Sequence, residues 1–209
     1  MNQPLPCSVR ATPTAPSDDE RRNMLRLTAV AAGAAAVATA VPFVSSLAPS
    51  ERAKALGASV EVDISGLGPG EMKTIEWRGK PVWIMRRTPE MLAALPAHDA
   101  ELADPASKKA QQPDYARNPQ RAIRPDVFVA VGICTHLGCS PTSLPAGTAN
   151  PSVGADWPGG FFCPCHGSTF DLAGRVFKNK PAPTNLEVPP HRYLADSKLL
   201  IGEDESGSA

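Results

Sequence analysis

The sequence predicts a mainly β domain of antiparallel sheets, preceded by one transmembrane α-helix. Three observations predict it. Leu27 to Ser50 contains no charged residue and is rich in Ala and Val, and about 20 such residues cross a bilayer as a helix. From Ser59 onward, apolar residues alternate with polar ones, the period of a half-buried strand. Proline numbers 23 in 209 residues, a composition of loops and short strands, since proline sits in neither central strands nor helix interiors.

The chain reads as four segments. Residues 1–23 are polar, with the acidic run Asp18-Asp19-Glu20, and are expected to be disordered. Residues 24–47 form the membrane helix, with Arg21, Arg22 and Arg26 before its uncharged run and Glu51, Arg52 and Lys54 after that run. A buried soluble helix and a cleaved signal peptide, with Ala38-Thr39-Ala40 as its small-residue site, compete with an uncleaved anchor. The anchor is preferred, because the run exceeds the usual signal core of about 7–15 residues. Arg21-Arg22-Asn23-Met24-Leu25-Arg26 resembles a twin-arginine export signal, with Glu20 where that pattern has Ser or Thr. The arginine excess favours an inside N-terminus. Residues 48–58 make a flexible tether, and 59–209 the globular domain.

Within that domain Val60, Val62 and Ile64 mark a first strand. Thr74 to Trp77, Arg78-Gly79-Lys80 and Pro81 to Met85 read as a hairpin. Thr88-Pro89-Glu90 starts a helix, with a capping Thr, Pro at the first helical position and an acid in the first turn, that ends by Pro96. Val127 to Val131 is an apolar strand, and His191 to Leu194 with Lys198 to Ile201 a last hairpin. The formal net charge of zero excludes the basic face of a nucleic-acid binder. The aromatic fraction of 5% leaves the core to Val, Leu, Ile and Ala.

Of five cysteines, Cys7 stands alone and reads as a free thiol. The others form two motifs, Cys134-Thr135-His136-Leu137-Gly138-Cys139 and Cys163-Pro164-Cys165-His166-Gly167-Ser168, in loops 134–143 and 161–170. Each follows an apolar run, so each sits on a loop leaving a strand. Gly138 and Gly167 permit positive φ. A Cys₂His₂ zinc site leaves two cysteines without a task, and disulfides alone leave both histidines unexplained. A 2Fe–2S cluster of Rieske type engages all six, one Cys and one His from each loop as ligands and the remaining cysteines as a bridge.

The two motifs together resemble the Rieske family, in particular the iron–sulfur subunits of ubiquinol:cytochrome c oxidoreductase, respiratory complex III. The resemblance runs from the anchor through Lys180 to Pro189. It implies that Cys134 and Cys163 ligate one iron, His136 and His166 the other, and that Cys139 and Cys165 form a disulfide. It implies that Ser168 bonds a bridging sulfide, that Leu137 shields the cluster and touches the quinone site, and that His166 meets quinol. Pro181-Ala182-Pro183 resembles the family's proline loop, with Lys180 in place of a frequent glycine. Phe170 departs from the tyrosine that many complex III relatives carry.

The function implied is that of a quinol–cytochrome-c reductase subunit in the bacterial cell membrane, its cluster domain on the periplasmic side. It would oxidise ubiquinol by proton-coupled transfer and pass the electron to a c-type cytochrome. Cytochrome b and the c-type cytochrome are the implied partners, in a dimeric complex. The alternatives are the small Rieske subunit of a periplasmic molybdenum oxidase, a ferredoxin-type Rieske carrier, which typically lacks the bridge cysteines, and a zinc-stabilised interaction module. His98 and His191 read as ordinary surface or strand residues, Trp77, Trp83 and Trp157 as packing residues. The insertion from Pro141 to Gly160 is expected to cover part of the domain or contact a neighbour.

Overall fold

The computed structural model describes residues 17–50 and 57–207. Cys7, the polar segment over 1–16 and most of the expected tether lie outside the described residues. The chain divides into two units, up to Ser50 and from Glu51 onward.

The first unit is the helix α1, Asp18–Ser45. It starts earlier than the composition suggested, so Asp18 to Asn23 are helical. The physical reason is a capping box. Ser17 N–H donates to Glu20 Oε2 at 2.9 Å, and Glu20 N–H donates to Ser17 Oγ at 3.4 Å. Asp18, Asp19 and Glu20 occupy the first turn, where the exposed N–H groups and the helix dipole favour negative charge. The charge-free part from Leu27 to Ser45 rises about 28 Å at about 1.5 Å per residue, against a hydrocarbon core of about 30 Å. No residue of α1 is buried.

Among the described residues the second unit holds three three-stranded antiparallel sheets. The central one comprises β2 (Met72–Trp77), β3 (Lys80–Arg86) and β4 (Val127–Val131) in that order. The β2–β3 turn has Arg78 at φ 52° and Gly79 at φ 70°, the two positive values that a two-residue hairpin of matching twist requires. All five residues of β4 are buried, because this sheet is covered on both faces. Val82, Ile84, Val127, Val129 and Val131 point to one side. Trp83, Met85, Phe128 and Ala130 point to the other, as the two-residue period of a strand demands.

The first face packs on a sheet ordered β1 (Val60–Asp63), β9 (Lys198–Ile201) and β8 (His191–Ala195). Val60 pairs with Ile201 and Val62 with Leu199, and Val62, Ile64, Leu199 and Ile201 complete that core. The second face carries the sheet β5 (Thr142–Leu144), β6 (Gly160–Phe162) and β7 (Thr169–Phe170). Trp83 stacks on Phe161 there at 4.8 Å. The insertion from Pro141 to Gly160 thus supplies β5, which composition did not reveal. It also packs on the domain: Trp157 Nε1 donates to Leu144 O at 3.0 Å, and its ring lies 5.7 Å from that of Phe177. The helix α2 is Pro89–Ala94, capped by Thr88. A 3₁₀ helix, Leu95–Glu101, continues it through Pro96.

His98 pairs with Glu101 at 3.1 Å. His191 is buried at the start of β8, where its Nδ1 meets Pro189 O at 2.9 Å and its N–H donates to Tyr115 Oη at 2.7 Å. Burial lowers the His191 pKa to about 4. The native imidazole is then neutral where the unfolded one is protonated, so stability rises with pH between about 4 and about 6.5. Acid unfolding monitored by tryptophan fluorescence is expected to show about 3 kcal/mol lost over that window. His191→Gln is expected to flatten the profile there, and an unchanged slope would contradict the assignment.

Candidate metal centre

Two loops of like construction carry the cysteine–histidine motifs. The first leaves β4 and the second joins β6 to β7. In the first, Gly138 N–H donates to Cys134 O at 3.1 Å and Cys134 N–H to Cys139 O at 2.7 Å. In the second, Gly167 N–H donates to Cys163 O at 2.9 Å and Cys163 N–H to Ser168 O at 2.8 Å. Each loop is therefore closed on its leading cysteine by the same pair of backbone bonds. The closing glycines stand at φ 86° and 75°, in the region that side chains disfavour.

The loops meet at their tips. A disulfide joins Cys139 to Cys165, 26 residues apart in sequence. The other two cysteines, Cys134 and Cys163, are each 2% exposed and belong to the apolar core under the loops. The His136 and His166 rings lie 4.7 Å apart at 87°, His136 half-buried and His166 exposed. Sulfur donors thus face inward and imidazoles outward. Cys139, Cys163 and Cys165 also bring their sulfurs within 4.8 Å of one another, but the disulfide commits two of them and leaves that trio unable to chelate.

The chemistry of these donors suits a metal group. Burial pushes the Cys134 thiol up, and the neighbouring Cys163 adds to the effect. Two thiolates side by side in this core need a compensating cation. His136 Nδ1 is buried and has no hydrogen-bond partner, which costs about 1–3 kcal/mol unless it ligates something. The Cys134 sulfur is already supported, by the His136 backbone N–H and the Ser168 hydroxyl, both of which hold it toward the anionic form.

A third segment clamps both loops. Ala182 N–H donates to Ser168 Oγ at 3.0 Å, and Thr135 Oγ1 donates to Thr184 O at 2.7 Å. The segment from Pro181 to Thr184 thereby touches both motifs, and Lys109 Nζ holds it from outside through Pro183 O at 2.8 Å. Sequence reasoning missed two supports. Asn185, 1% exposed, bonds Val176 N and Asp104 O. Asp171, fully buried after β7, accepts from Ala173 N, Arg175 N and Arg175 Nε at 2.7–2.9 Å. The one signal for the latter was a carboxylate and an arginine four residues apart around a glycine.

The sequence model of the Rieske [2Fe-2S] domain matches residues 58–190. The chain is 58% identical over 189 residues to the ubiquinol-cytochrome c reductase iron-sulfur subunit of Allochromatium vinosum, covering 90% of each. It is 43% identical over 186 residues to the subunit of the same description from Rhodospirillum rubrum, covering 88% of this chain and 93% of that one. Among solved structures, a chain of a hyperthermophilic respiratory Complex III is similar at 29% identity and a TM-score of 0.44, covering 84% of this chain and 98% of that one.

The bridge can be tested without reference to any bound group. In unreduced protein, Cys139 and Cys165 are expected to resist a thiol reagent and to appear as one cross-linked peptide by mass spectrometry. Free thiols at both positions would contradict the structure. Converting both to serine releases a closed loop of 26 residues and is expected to cost about 3 kcal/mol of stability in thermal unfolding.

Proposed function

The chain belongs to the Rieske [2Fe-2S] family, and on that premise we propose that it is the electron-transfer subunit of a membrane-anchored quinol–cytochrome-c reductase. It oxidises ubiquinol and passes single electrons to a c-type cytochrome, beside cytochrome b in a dimeric complex of the bacterial cell membrane. Its cluster domain stands on the periplasmic side, carried by α1 and the tether over 48–58. The observation that supports this most is the donor arrangement, inner thiols and outer imidazoles with one buried nitrogen unpartnered. It lies in a chain alike over 90% of its length to a ubiquinol-cytochrome c reductase subunit. That coverage favours a quinol reductase over the small subunit of a molybdenum oxidase.

In this reading Cys134 and Cys163 hold one iron, and His136 and His166 hold the other. When bound, the cluster takes up and returns one electron at a time, in a potential range of roughly −150 to +300 mV against about −400 mV for all-cysteine plant-type ferredoxins. The residues account for the direction of that difference. Two neutral imidazoles in place of two thiolates remove two negative charges from the ligand shell, so added negative charge is easier to accept. The Ser168 hydroxyl and the His136 amide, which hold the Cys134 sulfur toward its anionic form, favour the more negative state further.

His166 is the residue that meets substrate. Its ring is exposed, and the nitrogen not engaged by metal is free to accept a hydrogen bond from the quinol hydroxyl and then to hold its proton. Leu137, next to His136 in the chain and 72% exposed, offers the apolar surface against which a quinone ring packs. Proton and electron thus leave quinol toward adjacent atoms of one site.

The reading is tested by purifying the complex from membranes and asking whether ubiquinol reduces the protein and oxidised c-type cytochrome reoxidises it. His136→Ala, or Ala at Cys134, Cys163 or His166, is expected to abolish the reduced Rieske spin signal. A normal signal in His136→Ala would overturn the ligand assignment. Phe170 permits a finer test. It is fully buried in β7, in one core with Cys134 and Cys163, but its ring has no donor. Phe170→Tyr is expected to raise the midpoint potential by tens of millivolts, since about 1.4 kcal/mol corresponds to about 59 mV for one electron. An unchanged potential in redox titration would count against a hydrogen-bond effect at this position.

A further inference from the structure

Arg87, Arg121 and Arg175 are 2%, 0% and 0% exposed, and nothing in the proposed chemistry uses them. All three guanidinium groups converge on the turn 171–175, which follows β7 and closes with Gly174 N–H to Asp171 O at 2.9 Å. Arg87 Nη1 donates to Leu172 O at 3.2 Å. Arg121 Nη1 donates to Ala173 O at 3.1 Å and Gly174 O at 3.3 Å. Three successive carbonyls are thus capped by buried cations. The packing there is tight: a side chain on Gly174 would stand 2.9 Å from Phe128 and 3.2 Å from Arg121.

The carboxylates are unevenly shared. Asp171 is bonded to Arg175, which also pairs with Asp99 at 2.8 Å. Among the described residues neither Arg87 nor Arg121 forms an ion pair. Their other acceptors are backbone carbonyls and Gln112 Oε1. Arg87 Nη2 and Arg121 Nε, both buried, have no hydrogen-bond partner. Burial lowers both groups to about 10, so they remain charged at neutral pH. Asp171 and Asp126 act on Arg87, and Asp171 and Asp104 on Arg121, only from beyond ion-pair distance; a buried cation with no direct partner is costly, and neutral donors would cap the same carbonyls.

A site that gains negative charge in function lies across one apolar core. The Arg87 guanidinium is 5.2 Å from the Phe128 ring, and that ring is 6.2 Å from Phe161, two residues before Cys163. Phe128, Phe161, Phe170, Leu172, Cys134 and Cys163 belong to one buried cluster. Charge acts over longer range through such material than through water.

We propose that Arg87 and Arg121 are positioning residues of the metal centre that also set its potential. They hold the turn 171–175, and through it the second loop, and their charge favours the reduced cluster. The inference rests on the electron-transfer reading above. Reduction adds one electron, donated by quinol or by a titrant, breaks no bond and lowers the charge of the site by one; two buried cations lower the energy of that state.

The test is an equilibrium redox titration of the purified complex, followed by the Rieske spin signal, for Arg87→Gln, Arg121→Gln, Arg87→Lys and Arg121→Lys. Both glutamine variants are expected to shift the midpoint downward. Both lysine variants, which keep the charge but not the forked bonds, are expected to retain most of the original potential while unfolding at lower temperature. A glutamine variant with unchanged potential would overturn the proposal. So would loss of the cluster in glutamine and lysine variants alike, since charge would then not be what the position requires. Absence of the signal from the unsubstituted complex would overturn the cluster assignment, and this inference with it.

Discussion

Cys134 and Cys163 come from loops 29 positions apart, and the site depends on holding their sulfurs side by side in an apolar core. Each loop closes on itself through two backbone bonds at its leading cysteine. The Cys139–Cys165 disulfide then closes one loop on the other. Everything else follows from keeping that closure in place. The central sheet gives one whole face to it through Trp83, Met85, Phe128 and Ala130, and its other face to the supporting sheet. The burial of β4 on both sides is the consequence: one strand belongs to two cores.

The polar supports form a second layer behind the same loops. Ser168 connects the second loop to Ala182, and Thr135 connects the first to Thr184. Asn185 ties the end of this clamp to Val176 and to the Asp104 loop. These bonds converge from distant parts of the sequence on a few backbone groups and hold the loops in one conformation.

Much of this was legible in the sequence. The two motifs hold all six cysteine and histidine side chains that the loops bring together. The alternation at Val60 to Ile64, the run at Val127 to Val131 and the Arg78-Gly79 turn placed strands and a hairpin where they stand. What escaped depends on long-range or overriding physics. The pairing of β1 with β9 joins the two ends of the domain, and no local pattern encodes it. The acids at Asp18 to Glu20 suggested a solvated segment, although Ser17 and Glu20 at capping-box spacing signalled a helix start. Strand β5 is three residues in a Pro- and Gly-rich insertion, formed because β6 offers it an edge. The buried arginines were invisible because charge in a sequence reads as surface, and only the fold shows the carbonyls that receive them.

The central claim is that the iron is held by two sulfurs and two imidazoles, with His136 and His166 as the nitrogen donors. Spin-echo spectroscopy of the reduced protein, labelled with nitrogen-15 at histidine alone, tests it most directly. The account predicts strong couplings from two histidine nitrogens, and the loss of the Rieske spectrum when either His136 or His166 is replaced. A spectrum with no histidine coupling, or one that survives replacement of both His136 and His166, would contradict it.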